Sequence, residues 1–146
     1  MGFEGGCRCG AVRYELEADN LPPTYACHCV DCQTWSGSAF SLHAIVAEDA
    51  LTISDSGHTF RLPEGQEAMP SEHIGCAACL TRIASRNPAL PGFLVLRVGT
   101  LDRSSEVAPA MHIWTRQKQP WLTIEEGTPG FEVSPTPQEF AAAIAG

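Results

Sequence analysis

Seven cysteines fall into three groups, Cys7 with Cys9, Cys27 with Cys29 and Cys32, and Cys76 with Cys79, and this spacing constrains the chain more than any other feature. An odd number cannot all pair within one molecule, and a reducing compartment disfavours disulfides, so metal ligation is the better reading. Cysteine is often buried in cores, but scattered core thiols would not cluster at these intervals. Residues two apart on a strand share a face, so Cys7 and Cys9 can chelate one ion, and a Cys-x-x-Cys turn at Cys76–Cys79 brings two more thiolates to one centre. Neither doublet completes a four-coordinate site, whereas the triplet offers three ligands within six residues. The economical partition joins the doublets and sets the triplet apart, which predicts two zinc ions per chain. A closed site of Cys7, Cys9, Cys76 and Cys79 would be structural and would tie the amino-terminal segment to the middle of the chain. A site of Cys27, Cys29 and Cys32 leaves a position for water or substrate, as catalytic zinc does.

The remaining composition sets limits. At 146 residues and 44% hydrophobic, residues 1–146 are expected to form a single domain with a real core. With 13 Gly and 11 Pro, short strands are favoured over long helices. A net charge of −8 and only nine scattered Lys and Arg argue against a nucleic-acid footprint and against an acidic membrane surface. No apolar run is long enough to span a bilayer, and the first residues lack the pattern of a signal peptide, so the expected location is cytoplasmic.

Val12, Tyr14 and Leu16 alternate with Arg13, Glu15 and Glu17, the period of a half-buried strand. Residues 24–29 read as extended after Pro22 and Pro23, and 30–37 as a single helical turn. Strands are expected at 39–46, 51–54, 58–62, 93–98 and 111–115, with a strand, turn and return strand over 72–84. Thr136 with Glu139 forms a capping box, Pro137 suits the first helical position, and Phe140, Ala141 and Ile144 make an apolar stripe, so a short helix closes the chain. The Gly- and Pro-rich stretch 125–137 is expected to be a surface excursion.

His28, between two cysteines in an extended segment, must point away from the face that Cys27 and Cys29 share, and is expected to be exposed rather than ligating. His43, His58, His73 and His112 have no carboxylate at a telling spacing and read as packed or surface residues. Trp35, Trp114 and Trp121 read as core residues ahead of pocket walls. Arg82 could anchor a substrate carboxylate, or be an ordinary surface arginine.

The segments Gly6-Cys7-Arg8-Cys9-Gly10-Ala11-Val12-Arg13-Tyr14, Cys27-His28-Cys29-Val30-Asp31-Cys32-Gln33 and Ser36-Gly37-Ser38-Ala39-Phe40 closely resemble the glutathione-dependent formaldehyde-activating enzyme family, which includes centromere protein V. Cys76-Ala77-Ala78-Cys79 with Thr81-Arg82, Gly99-Thr100-Leu101-Asp102, His112-Ile113-Trp114 and Pro120-Trp121 extend the likeness over residues 6 to 122. The resemblance implies a mainly β fold, the Mss4-like β-tent of stacked antiparallel sheets pinned by zinc, with the doublets on structural zinc and the triplet on catalytic zinc. It also implies a carbon-sulfur lyase that reversibly forms S-hydroxymethylglutathione from glutathione and formaldehyde. Leu80 departs from the family, which usually has glycine after the second knuckle cysteine to supply positive φ. The chain also lacks the basic extension of centromere protein V.

Zinc held by three thiolates keeps a net charge near −1, which suits it to activate a thiol better than to make hydroxide. A zinc-hydroxide deaminase would need His-x-Glu or Cys-x-Glu followed by Pro-Cys-x-x-Cys, which is absent. The other rival is a non-catalytic zinc module that binds a protein.

Overall fold

The computed structural model describes residues 2–145. Strand β2 (Arg13–Glu17) follows the predicted alternation, with Val12, Tyr14 and Leu16 buried and Arg13, Glu15 and Glu17 exposed. It pairs antiparallel with β1 (Gly2–Gly6) on one side and β5 (Leu51–Ile53) on the other, a three-stranded sheet. The β1 strand has no counterpart in the sequence reading, because its Gly-Phe-Glu-Gly-Gly offers a single apolar residue and forms only against β2.

The second sheet has seven strands: β3 (Thr24–Cys27), β4 (Ser41–Ala47), β6 (His58–Leu62), β7 (Ser71–Gly75), β8 (Arg82–Arg86), β9 (Phe93–Arg97) and β10 (Pro109–Ile113). Their spatial order is β10-β3-β4-β9-β8-β7-β6. All pairs are antiparallel except β10 with β3, which is parallel, a departure from the wholly antiparallel tent expected. Phe3, Tyr14 and Leu16 of the small sheet, with Val12 just before β2, meet Ala44, Ile83, Leu94 and Leu96 of the large one in the main core. Aliphatic side chains dominate it, and burying each contributes about 1.5–3 kcal/mol.

A second apolar cluster holds the carboxyl-terminal helix α2 (Pro137–Ala145), whose Phe140, Ala143 and Ile144 pack on Tyr25, Met111 and Ile113. The capping box forms as predicted: Glu139 N–H donates to Thr136 Oγ1 at 3.1 Å and Thr136 N–H to Glu139 Oε1 at 3.0 Å. Residues 125–137 are more than a surface excursion. His112 N–H donates to the Pro129 carbonyl and Phe131 N–H to the His112 carbonyl, both at 2.9 Å, so this stretch runs along β10 and Phe131 joins the second cluster.

Helix α1 (Val30–Ser36) makes two turns rather than one, begun by Cys29 as N-cap and ended by Gly37 at φ 65°. The tryptophans are not core residues. Trp35 and Trp121 are exposed, and Trp114 sits half-buried in the left-handed region at φ 58° just after β10. Their rings are amphipathic, and Trp35 finds its partners at the rim of a cavity, against Phe60 and Arg82.

Candidate metal centres and the adjoining cavity

The first cysteine group joins the two sheets. Cys7 and Cys9 lie in the tight turn between β1 and β2, and Cys76 and Cys79 in the turn between β7 and β8. Their four sulfurs lie within 4.8 Å of one another, with Cys7 to Cys9 at 3.6 Å and Cys9 to Cys76 at 3.7 Å. Four sulfurs at about 2.3 Å from a tetrahedral zinc would be about 3.8 Å apart, so the donor set fits such an ion. The doublet expected on a strand is thus presented by a turn instead. Gly10 N–H donates to the Cys7 carbonyl at 3.1 Å, and Gly10 adopts φ 83°. The second turn is one residue longer and closes on the same carbonyl position, with Leu80 N–H on the Cys76 carbonyl at 2.9 Å and Leu80 also at positive φ, 66°. Backbone amides also reach the sulfurs, Val12 N–H to Cys7 Sγ at 3.2 Å and Cys79 N–H to Cys76 Sγ at 3.5 Å. The Thr81 hydroxyl 3.2 Å from Cys79 Sγ, with the Thr81 and Cys9 amides, draws the Cys79 thiol down to about 5.

The triplet is built at a strand-to-helix junction. Cys27 ends β3, Cys29 caps α1, accepting from Cys32 N–H at 3.4 Å, and Cys32 lies in the first turn of α1. Their sulfurs too lie within 4.8 Å of one another. Sulfurs this close cannot all ionise unaided: hydrogen bonds from Cys27 and Cys32 draw Cys29 down to about 3, and the same sharing pushes Cys27 up. A cation removes that conflict, so the donor set suits a metal ion. Among the described residues no other Cys, His, Asp or Glu joins the three sulfurs.

The open side of the triplet is a cavity of about 550 Å³, whose wall includes Tyr25, His43, His73, Arg82 and Arg97. Tyr25, His43 and Arg97 lie in one row across β3, β4 and β9. Asp31 is adjacent but occupied, its carboxylate accepting from the amides of Gln66 at 3.0 Å, Glu67 at 2.6 Å and Ala68 at 2.9 Å. Those bonds overcome burial and hold its pKa below the usual range. They also fix the loop between β6 and β7 as one wall. A Cβ at Gly65 would come within 2.3 Å of Asp31 Oδ1, so only glycine allows that approach.

His28 points away from the cysteine face, as its register demands, but it is fully buried rather than exposed. Strand β10 covers that side: His28 Nε2 lies 2.8 Å from His112 Nδ1, and the ring also meets Phe40. Burial, then the neighbouring His112 and Lys118, lowers His28 to about 4. His43 and His73 are buried cavity residues held neutral by burial and by the two arginines, and His58 is exposed. Arg82 is a cavity residue, its guanidinium 4.7 Å from the Trp35 ring centre. Two residues escaped the sequence reading. Tyr25 stands two before Cys27 on the same strand, a spacing that places both on one face, and Arg97 ends the otherwise apolar Phe-Leu-Val-Leu run of β9.

Comparison with known proteins agrees with the fold. The chain is 25% identical over 129 residues to a protein of Halomonas elongata that carries the name of the formaldehyde-activating family, an alignment covering 86% of this chain and 82% of that one. It is 27% identical over 88 residues to a Penicillium rubens protein of the same name, covering 58% of this chain and 45% of the relative. A crystal structure of a Rhodobacter sphaeroides protein superposes with a TM-score of 0.53 at 20% identity, over 73% of this chain and 97% of the other, a likeness of fold. Residues 2–117 match the family described as glutathione-dependent formaldehyde-activating enzyme, and the chain belongs to that family.

Proposed function

We propose that this chain is a cytoplasmic zinc-dependent carbon-sulfur lyase that reversibly joins a thiol such as glutathione to an aldehyde such as formaldehyde, giving a product of the S-hydroxymethylglutathione type. The observation that carries the reading is the cysteine triplet opening onto a cavity, with no fourth protein ligand among the described residues. Cys27, Cys29 and Cys32 would hold the catalytic zinc, and Cys7, Cys9, Cys76 and Cys79 the structural one. Zinc in a three-thiolate site accepts a further soft sulfur and holds it deprotonated at neutral pH.

In the forward direction a carbon-sulfur bond forms between the thiol sulfur and the aldehyde carbon, the carbonyl π bond breaks, and the oxygen takes a proton. The reverse step returns thiol and aldehyde, and no oxidant or reductant is needed. Tyr25 is placed to serve the oxygen. Its side chain lines the cavity, and its hydroxyl makes no hydrogen bond to the described residues. Burial, and the neighbouring Cys27 and Cys32, push its pKa well above the usual value, so it keeps its proton and can donate it or a hydrogen bond. His43 and His73, held neutral, are poor acids at pH 7.

The test is adduct exchange followed by NMR, with thiol and aldehyde pairs screened against the zinc-loaded protein. Exchange should accelerate with the native chain and return to the uncatalysed rate with Cys29→Ser. No acceleration with any pair would overturn the reading in favour of a non-catalytic zinc module, and acceleration that survives loss of the triplet's metal would take the reaction away from that site.

A further inference from the structure

Drawing a guanidinium out of water without an anion is costly, and this chain holds two of them half-buried in one wall, Arg82 and Arg97. Arg82 begins β8 and Arg97 ends β9, the neighbouring strand. Both line the cavity beside the triplet, and both also line a second cavity of about 400 Å³ bounded by Trp35, Phe40 and Leu80. They are therefore the partition between the two.

Neither has a carboxylate partner among the described residues, although the chain carries 17 Asp and Glu. Arg13, Arg61, Arg86, Arg103 and Arg116 all form ion pairs. Arg97 donates from Nη1 to the Val95 carbonyl at 3.0 Å and from Nη2 to Ser85 Oγ at 3.1 Å, and Arg82 stacks on Trp35. The buried Nε atoms of both have no acceptor among the described residues. Around them His43, His73 and Tyr25 are uncharged, while burial and Arg97 together push the Arg82 pKa down. Three thiolates on a divalent ion leave a single negative charge, one short of the two guanidinium charges.

We propose that Arg82 and Arg97 form a carboxylate-binding subsite beside the cysteine triplet, so that the reactants include a carboxylate-bearing molecule. The planar guanidinium fork matches a carboxylate in two-point pairing. This rests on the triplet being the reacting centre. The carboxylate belongs either to the thiol or to its carbonyl partner, which would then be an oxo acid rather than a bare aldehyde.

Calorimetry with two unreactive probes tests it on the zinc-loaded protein: S-methylglutathione, which keeps the carboxylates without a free thiol, and glycolate, which resembles an oxo acid. At least one should bind about tenfold more weakly to Arg82→Gln, with Arg82→Lys in between, and the amide of that probe should bind no better to the native chain than the acid does to Arg82→Gln. Because Arg97 hydrogen-bonds the Val95 carbonyl and Ser85 Oγ, its removal also challenges folding, so Arg82 and the amides carry the decision. If neither probe distinguishes native from Arg82→Gln, or the amides bind as well as the acids, the subsite does not exist. Kinetics assign the source: Arg82→Gln raises KM for glutathione but not 2-mercaptoethanol if the thiol supplies the carboxylate, and KM for glyoxylate but not formaldehyde if the carbonyl does. A uniform fall in kcat with every pair and no change in KM would reduce Arg82 to support of the metal centre and overturn the proposal. Probe binding is read without turnover, so a protein that binds through Arg82 yet catalyses nothing would sink the lyase reading alone.

Discussion

His28 Nε2 and His112 Nδ1 lie 2.8 Å apart, with the two rings stacked at 5.1 Å between centres and both buried behind the cysteine triplet. The pair joins the segment carrying the triplet to β10. His28 Nδ1 already lacks a partner among the described residues, so removing His112 leaves that ring with none there. His112→Leu should destabilise the protein by about 1–3 kcal/mol, the usual cost of an unsatisfied buried polar group. Replacing both by leucine should cost less than the sum of the two single changes, and denaturant melts of the four proteins provide the cycle. Simple additivity would mean that the contact carries no coupling.

Leu80 occupies φ 66° at the position where the matching turn has Gly10 at φ 83°. Its side chain is 82% exposed, so it gains little packing for that strain. Leu80→Gly should therefore raise stability by about 1 kcal/mol, since glycine visits this region freely. A thermal melt is sufficient, and a lower midpoint would show that Leu80 makes a contact worth more than the strain.

The two cysteine groups should differ in what they support. Cys7, Cys9, Cys76 and Cys79 connect hairpins of different sheets, whereas Cys27, Cys29 and Cys32 are local to one junction. Elemental analysis should give two zinc ions per native chain. Cys76→Ser should lose most of the metal-linked folding energy, on the order of 10 kcal/mol for structural zinc in small peptides, and Cys29→Ser should keep the fold. Equal losses in circular dichroism melts would make the triplet structural as well.

Tyr25→Phe removes the unpartnered hydroxyl on the cavity wall while leaving the ring that packs on Phe140 and His43. If the hydroxyl serves the reacting oxygen, kcat for adduct exchange should fall about 10²-fold, within the range of general acid catalysis. Thiol binding should be unchanged. A rate within threefold of native would remove Tyr25 from the reaction.

His73 is held neutral, lowered to about 3 by burial first and then by Arg82 and Arg97. Its folded pKa lies below the unfolded value, so between about pH 6.5 and 3 the unfolded chain binds more protons and stability falls as pH falls. Between pH 7 and pH 5 this should cost native protein about 2 kcal/mol more than His73→Gln. Urea melts of both proteins at the two pH values measure it. Equal losses would mean that His73 titrates normally in the fold.

The cysteine doublets and triplet were legible because close spacing is a local property: sulfurs two or three residues apart can be turned to one side by a strand or a turn, whereas the meeting of the two doublets needed the sheets to come together. The half-buried strand at Val12, Tyr14 and Leu16 and the capped helix at Thr136 and Glu139 were legible for the same reason, since alternation and capping need only near neighbours. What tertiary structure decided is what stands opposite each residue. His28 was correctly turned from its cysteine neighbours, yet whether it met water or β10 depended on a strand 84 positions away. Strand β1 exists because β2 offers an edge, and the tryptophans left the core because Arg82 and Phe60 await Trp35 at the cavity rim. Arg82 and Arg97 are fifteen residues apart in the chain and become one feature only when β8 and β9 pair, because a cavity and its charge are sums over distant segments.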